Sequence, residues 1–189
     1  SFVWSANLGL VNWCFPNLDG CTSISRVGRY KPVVYFFKPL MLIYSILLGL
    51  FWKKYYEILK INNINLSKFF LSIAYLSVLF LVLYIFFLGE GKLYKFFRQI
   101  GIFVYIFFTV LTQIIFSMKT KKISLFDKNL NYILYYYSLS LGILGIILFP
   151  FMILKIIEIE NFKNIVSWNY FLLIKIYFLM IFIGAKKKL

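Results

Sequence analysis

The sequence predicts an all-α integral membrane protein: a bundle of five complete transmembrane helices preceded by a partial N-terminal one. Three observations carry this reading. The chain is 62% hydrophobic with a mean hydropathy of +0.86, well past the roughly half-apolar usage of soluble domains. Its apolar residues gather into long runs, and about 20 such residues cross ~30 Å of hydrocarbon at ~1.5 Å each. Its cations sit in short clusters between the runs, as loop anchors do. No Pro-, Gly- or Ser-rich linker divides residues 1–189, which predicts one multi-pass transmembrane domain.

The first residues, SFVWSANLGLVNW, are apolar but too short to span. They show neither the charged start nor the cleavage site of a signal peptide, and predict the end of a truncated first helix. A loop over Cys14–Pro32 follows. Spans are then predicted at Val33–Trp52, Phe69–Leu88, Ile100–Met118, Tyr132–Ile157 and Val166–Ala185. Pro150 predicts a kink near one end of the fourth, because its ring clashes with the preceding turn. Small residues recur four apart, Ser45 with Gly49 and Ser138 with Gly142, a spacing that lets helix backbones approach closely in lipid. On the third run Gly101, Tyr105, Thr109, Thr112 and Gln113 share one face. That face predicts packing inside the bundle in preference to a substrate path.

The loops alternate in charge. With Cys14–Pro32 placed outside the cytosol, the cytosolic segments hold Lys53, Lys54, Lys60, Lys68, Lys119, Lys121, Lys122, Lys128 and Lys186–Lys188, opposed only by Glu57 and Asp127. The other side holds nine cations against Asp19, Glu90, Glu158 and Glu160. Short cytosolic loops favour Lys and Arg, so this orientation is expected, with the C-terminus on the cytosolic or matrix side. Abundant Ile, Phe, Tyr, Asn and Lys, with alanine only at Ala6, Ala74 and Ala185, is the usage of an AT-rich genome. It points to a bacterial inner membrane or an organellar one.

Several function classes fall away. The formal charge of +15 forms no stripe or basic helix, which argues against nucleic acid. With no histidine, the usual triads and most catalytic zinc sites are out of reach. Two cysteines and scattered carboxylates offer no metal cluster, and no cofactor motif appears. Asp19, Glu90, Glu158 and Glu160 read better as interfacial anchors and ion-pair partners than as an acid–base pair. Cys14 and Cys21, with six residues between them, could close a small disulfide ring or stay unpaired, Cys14 then being an apolar residue at a helix end.

The arginines are more telling. Lysine outnumbers arginine 18 to 3, yet Arg26, Arg29 and Arg98 all fall on the predicted outer side. Where charge alone suffices this chain uses lysine, so these positions point to a need for the planar guanidinium fork. That fork binds phosphate or carboxylate in a bidentate way an ammonium cannot match. Lipid headgroup phosphate is the expected ligand at that depth; internal pairing with Asp19 or Glu90 is the competing account. Lys175 falls near the middle of the last run, where an ammonium costs at least ~2.5 kcal/mol. It is open to three readings: snorkelling, lining a wet cavity, or bonding Gln113 and tyrosines.

The segment Ile24-Ser25-Arg26-Val27-Gly28-Arg29-Tyr30-Lys31-Pro32-Val33-Val34-Tyr35-Phe36-Phe37 resembles the first-loop signature of the damage-regulated autophagy modulator superfamily, which includes proteins that remodel glycosylphosphatidylinositol anchors. Ser25, Gly28, Pro32 and Phe37 fit its spacing. Phe96-Phe97-Arg98-Gln99-Ile100-Gly101 resembles the start of that family's fourth helix, and Ser167-Trp168 its Glu-Trp pair. The resemblance implies six helices, both termini in the cytosol and the signature loop outside. The chain departs from the pattern where Arg26 replaces an acidic residue and Ser167 replaces the Glu. If those carboxylates support lipid remodelling, this chain lacks them.

The functional expectation is a non-catalytic multi-span protein that engages membrane lipids, anionic ones included, through their headgroups on the non-cytosolic face, in membrane homeostasis or scaffolding. The alternatives are an accessory subunit bound to other membrane-protein subunits of a larger complex, and a lipid-remodelling enzyme.

Overall fold

The computed structural model describes residues 1–61, 68–121, 126–153 and 160–186, and all regular structure among them is α-helical. In chain order the helices are α1 (Phe2–Asn7), α2 (Pro16–Asp19), α3 (Ile24–Arg29), α4 (Val34–Ile61), α5 (Lys68–Phe86), α6 (Lys92–Thr120), α7 (Lys128–Ile153) and α8 (Glu160–Lys186). The last five are each long and apolar enough to cross a membrane. The protein is therefore a multi-pass, all-α membrane protein. Its helices gather into two packing units, Ser1–Trp13 with Ile24–Thr109 and Cys14–Ser23 with Val110–Leu189.

In the first unit α1 docks on α3, where the Ser5 hydroxyl donates to the Val27 carbonyl at 2.8 Å. α3 packs in turn on α4. An ideal Cβ on Gly28 would stand 2.5 Å from the Phe37 ring, so only glycine lets that ring seat there. α4 lies along α5, a Cβ on Gly49 falling 3.8 Å from Val78 and 3.9 Å from Tyr75, with Trp52 edge-on to Phe70 at 5.8 Å. α4 runs nine residues past the predicted end at Trp52. The reason is a second buried stripe: Trp52 and Leu59, seven apart, are both fully buried while Lys53, Lys54, Glu57 and Lys60 face out. At Gly101 the backbones of α5 and α6 meet, a Cβ there falling 2.9 Å from the Tyr84 nitrogen.

In the second unit α7 lies against α8, and Gly142 against Ile114 of α6. A buried polar network ties the three. The Tyr177 hydroxyl donates to the Gln113 carbonyl at 3.1 Å and lies 2.6 Å from the Ser117 hydroxyl, which reaches the Leu134 carbonyl at 3.3 Å. The Tyr137 hydroxyl donates to the Leu173 carbonyl at 2.8 Å. In hydrocarbon such groups have no water to fall back on, so they turn inward.

The burial pattern is that of a protein dissolved in lipid. Ser45, Ser77, Thr109, Thr112, Gln113, Ser117 and Ser138 are inside, whereas Ile43, Leu47, Leu50, Phe86, Ile146 and Phe182 face out. Ser45, Ser77 and Ser138 each donate to a carbonyl three residues back on their own helix, so they need no partner across the bundle. The inward face predicted on the third run is entirely buried.

Two expectations change. The Cys14–Pro32 loop contains α2 and α3. α6, α7 and α8 begin earlier than predicted, at Lys92, Lys128 and Glu160, because their first turns carry charge or amide yet continue the helix. α7 ends its described course at Ile153. The remainder of the predicted fourth span, and the Pro150 side chain where a kink is expected, lie outside the described residues.

Candidate anion-binding site

Within the first unit, the short connection from α5 to α6 turns through Gly89, Glu90 and Gly91, the last at a φ of 114° that only glycine takes readily. α6 then places Lys92, Lys95 and Arg98 three residues apart, on one flank of its first two turns. The end of α3 supplies Arg29. Together Arg29, Gly89, Glu90, Gly91, Lys92, Lys95 and Arg98 line an open cavity of about 360 Å³.

The two guanidiniums are held differently. Arg98 is buried at 9% exposure, and its Nη1 donates to the Gly89 carbonyl at 2.9 Å, fixing its plane against the connection. Arg29 rests over the Tyr30 ring, 5.1 Å from the centroid, and its Nη2 donates to the Tyr30 hydroxyl at 3.2 Å. Its Nε is buried with no acceptor. The two arginine charges are near enough to repel each other. Among the described residues, neither forms an ion pair with a carboxylate. Four cations and one carboxylate thus face one small space, an arrangement that calls for an anion.

Of the three arginines singled out from sequence, Arg29 and Arg98 come together and Arg26 does not line the cavity. Arg26 is exposed and reaches the group through Tyr30. The Tyr30 phenol is pulled below its ordinary pKa, first by the hydrogen bond from Arg29, partly against burial, with further help from the Arg29 charge and from Arg26. Of the carboxylates offered as competing partners, Asp19 belongs to the second unit, where it accepts from the Phe15 N–H at 2.7 Å, and Glu90 lines the cavity without closing on either arginine. Sequence reasoning missed Lys92 and Lys95. Their signal was the Lys-x-x-Lys-x-x-Arg spacing, hidden because the helix was expected to start later.

A long uncharged stretch follows Arg98. The 20 residues from Gln99 to Met118 separate it from Lys119 without a charge, a length of about 30 Å in a helix. That matches the hydrocarbon thickness of a typical bilayer.

The other singled-out residues have packing roles or lie elsewhere. Gly28 and Phe37 join α3 to α4, Ser25 is half-buried and Pro32 is exposed. In the second unit Cys14 and Cys21 are joined in a disulfide, their Cα atoms 6.6 Å apart. The ring they close carries α2, which lies along the start of α8. There Asn164 donates to the Gly20 carbonyl, Asn169 to the Asn17 carbonyl and the Trp168 indole to the Thr22 carbonyl, each at 2.8 Å. Gln113 is fully buried, and its Nε2 lies 3.4 Å from the Ile174 carbonyl. Lys175, one residue on and so ~100° round the helix, is on the outward face. Its Nζ lies 4.3 Å from the Phe171 ring centroid, one turn toward the Glu160 end. Glu160 opens α8, and Glu158 lies outside the described residues. No group of His, Cys, Asp and Glu suited to a metal ion occurs among the described residues. No protein-family model, no curated protein and no solved structure matches the chain.

Proposed function

We propose that this multi-pass membrane protein binds anionic headgroups at the Arg29–Arg98 cavity and serves membrane homeostasis or scaffolding without catalysing a reaction. One observation carries the reading: two guanidiniums and two ammoniums converge on one cavity, the one carboxylate among its described lining residues pairs with neither arginine, and the Arg29 Nε has no acceptor. A phosphate or carboxylate would satisfy that donor and screen the repulsion, through bonds worth about 1.5–3 kcal/mol each when shielded from water. The uncharged stretch of about one bilayer thickness after Arg98 favours a lipid headgroup. Kinship with the damage-regulated autophagy modulator superfamily belongs to the same proposal. Its basis is the sequence spacing of Ser25, Gly28, Pro32 and Phe37.

Arg29→Lys and Arg98→Lys keep the charge and lose the fork. Each is expected to lower co-purified anionic lipid, read by mass spectrometry of the full chain, with the melting temperature close to wild type. Equal lipid retention in wild type and in the double lysine variant defeats the proposal. In our reading the cavity is on the non-cytosolic side, as the lysine excess of the opposite loops supports. A reporter active only outside the cytosol, fused after Leu189, should then stay silent, and a strong signal reverses the orientation.

A further inference from the structure

We infer that the anion this cavity takes is a phosphomonoester, an end-standing phosphate carried by a lipid or by a small soluble molecule, in preference to a phosphodiester. The inference rests on the anion-binding reading above and specifies its ligand class.

The argument is a count of oxygens and charges. A phosphodiester, the linkage inside most phospholipid headgroups, has two unesterified oxygens sharing one negative charge. One arginine fork occupies both. A phosphomonoester has three, sharing nearly two charges at neutral pH because its second proton leaves near pH 6. Three oxygens can accept from two guanidiniums at once. This cavity offers two, Arg29 and Arg98, from separate segments of the chain. Each has spent one nitrogen, Arg98 on the Gly89 carbonyl and Arg29 on the Tyr30 hydroxyl, which fixes both planes. The Arg29 Nε is left buried and without an acceptor.

Charge points the same way. Arg29, Lys92, Lys95 and Arg98 against Glu90 leave an excess of three positive charges on the lining. A singly charged diester neutralises one of them, a doubly charged monoester two. The Glu90 carboxylate sets the opposing term: it repels the ligand, and repels a dianion more than a monoanion. A cavity of about 360 Å³ is of the size that small-molecule sites occupy. It is open, as a ligand tethered to the leaflet requires.

The test uses the full chain in phosphatidylcholine nanodiscs at pH 7.5. Short-chain phosphatidic acid supplies the monoester and phosphatidylglycerol of the same chains the diester, with bound lipid counted by native mass spectrometry. Wild type is expected to hold phosphatidic acid about tenfold more tightly or better, the worth of one added charge-assisted hydrogen bond. Arg29→Lys should bring the two lipids near equality. Glu90→Gln should tighten phosphatidic acid more than phosphatidylglycerol, a gain that misfolding cannot imitate. Competition by glycerol 3-phosphate assigns the site to soluble phosphomonoesters, and failure to compete assigns it to lipid; both support the class. Equal retention of the two lipids by wild type overturns the phosphomonoester assignment while the anion-binding reading stands. Retention of neither above the phosphatidylcholine background overturns both.

Discussion

Replacing Gly20 by alanine puts the attachment of α2 to α8 under direct test. Gly20 closes α2 in the left-handed conformation, at φ 62°, where its N–H bonds the Pro16 carbonyl. A side chain in that region costs about 1–2 kcal/mol. The space is also taken. A Cβ on Gly20 would overlap the Asn161 carbonyl oxygen and stand 2.7 Å from the carbonyl carbon and 2.8 Å from the Ile165 Cγ1. Two of those atoms are helix backbone and cannot rotate away, so α2 must lift. Overpacking of this kind costs about 1–3 kcal/mol, and lifting α2 breaks the bond from Asn164 to the Gly20 carbonyl, worth about 0.5–1.5 kcal/mol. The expected loss is roughly 2.5–6.5 kcal/mol. Gly9 is the matched control: its φ is 67°, yet nothing lies within 4 Å of its missing Cβ. Gly9→Ala should therefore cost only the backbone part, about 1–2 kcal/mol. At about 2–4 °C per kcal/mol for a chain of this size, thermal unfolding in detergent separates the two variants clearly. If Gly20→Ala melts with Gly9→Ala or with wild type, the close docking of α2 on α8 is wrong.

Other substitutions test the packing independently. Tyr177→Phe and Ser117→Ala remove two sides of the buried network, and a double-mutant cycle on unfolding should return a coupling of about 0.6–1.7 kcal/mol, as for interhelical hydrogen bonds in bilayers; full additivity would remove the network from the ledger of the fold. Gly28→Ala should lower the melting temperature by an overpacking cost of about 1–3 kcal/mol, and Gly28→Ala with Phe37→Leu should recover part of it, since the smaller side chain vacates the space the Cβ needs. Lys175→Leu should favour insertion of α8 by about 2.5 kcal/mol or more, measured with a glycosylation-based insertion reporter, because the ammonium is on the outward face; an unchanged insertion free energy would mean that the charge never faces hydrocarbon.

The spans were legible because bilayer thickness imposes one length on them and apolar side chains must face out everywhere. That constraint writes itself into composition, and no knowledge of tertiary contacts is needed to see it. The inward face of α6 was legible for the complementary reason: Thr109, Thr112 and Gln113 have nowhere else to point. What escaped was set by contacts between segments far apart in the chain. The start of α8 reads as loop because Glu160, Asn161 and Asn164 are polar, and the reason for Asn164 is the Gly20 carbonyl at the end of α2, 144 residues earlier. Lys92 and Lys95 escaped with the first turns of α6. The choice of arginine over lysine did mark Arg29 and Arg98, since a rare residue against a biased composition carries information. Arg26 carried the same mark and lies outside the cavity, so rarity alone does not separate a cavity wall from its approach.

The uncharged stretch from Gln99 to Met118, about one bilayer thickness long, bears on how the lipid proposed above would arrive. A leaflet lipid would reach the cavity by lateral diffusion, at an effective concentration set by membrane composition. Occupancy would then be an exchange between headgroups, governed by the ratio of two affinities and by mole fraction. The dilution of protein in the aqueous phase would drop out of the balance, and the proposed site would respond to a change in lipid composition without any change in total lipid.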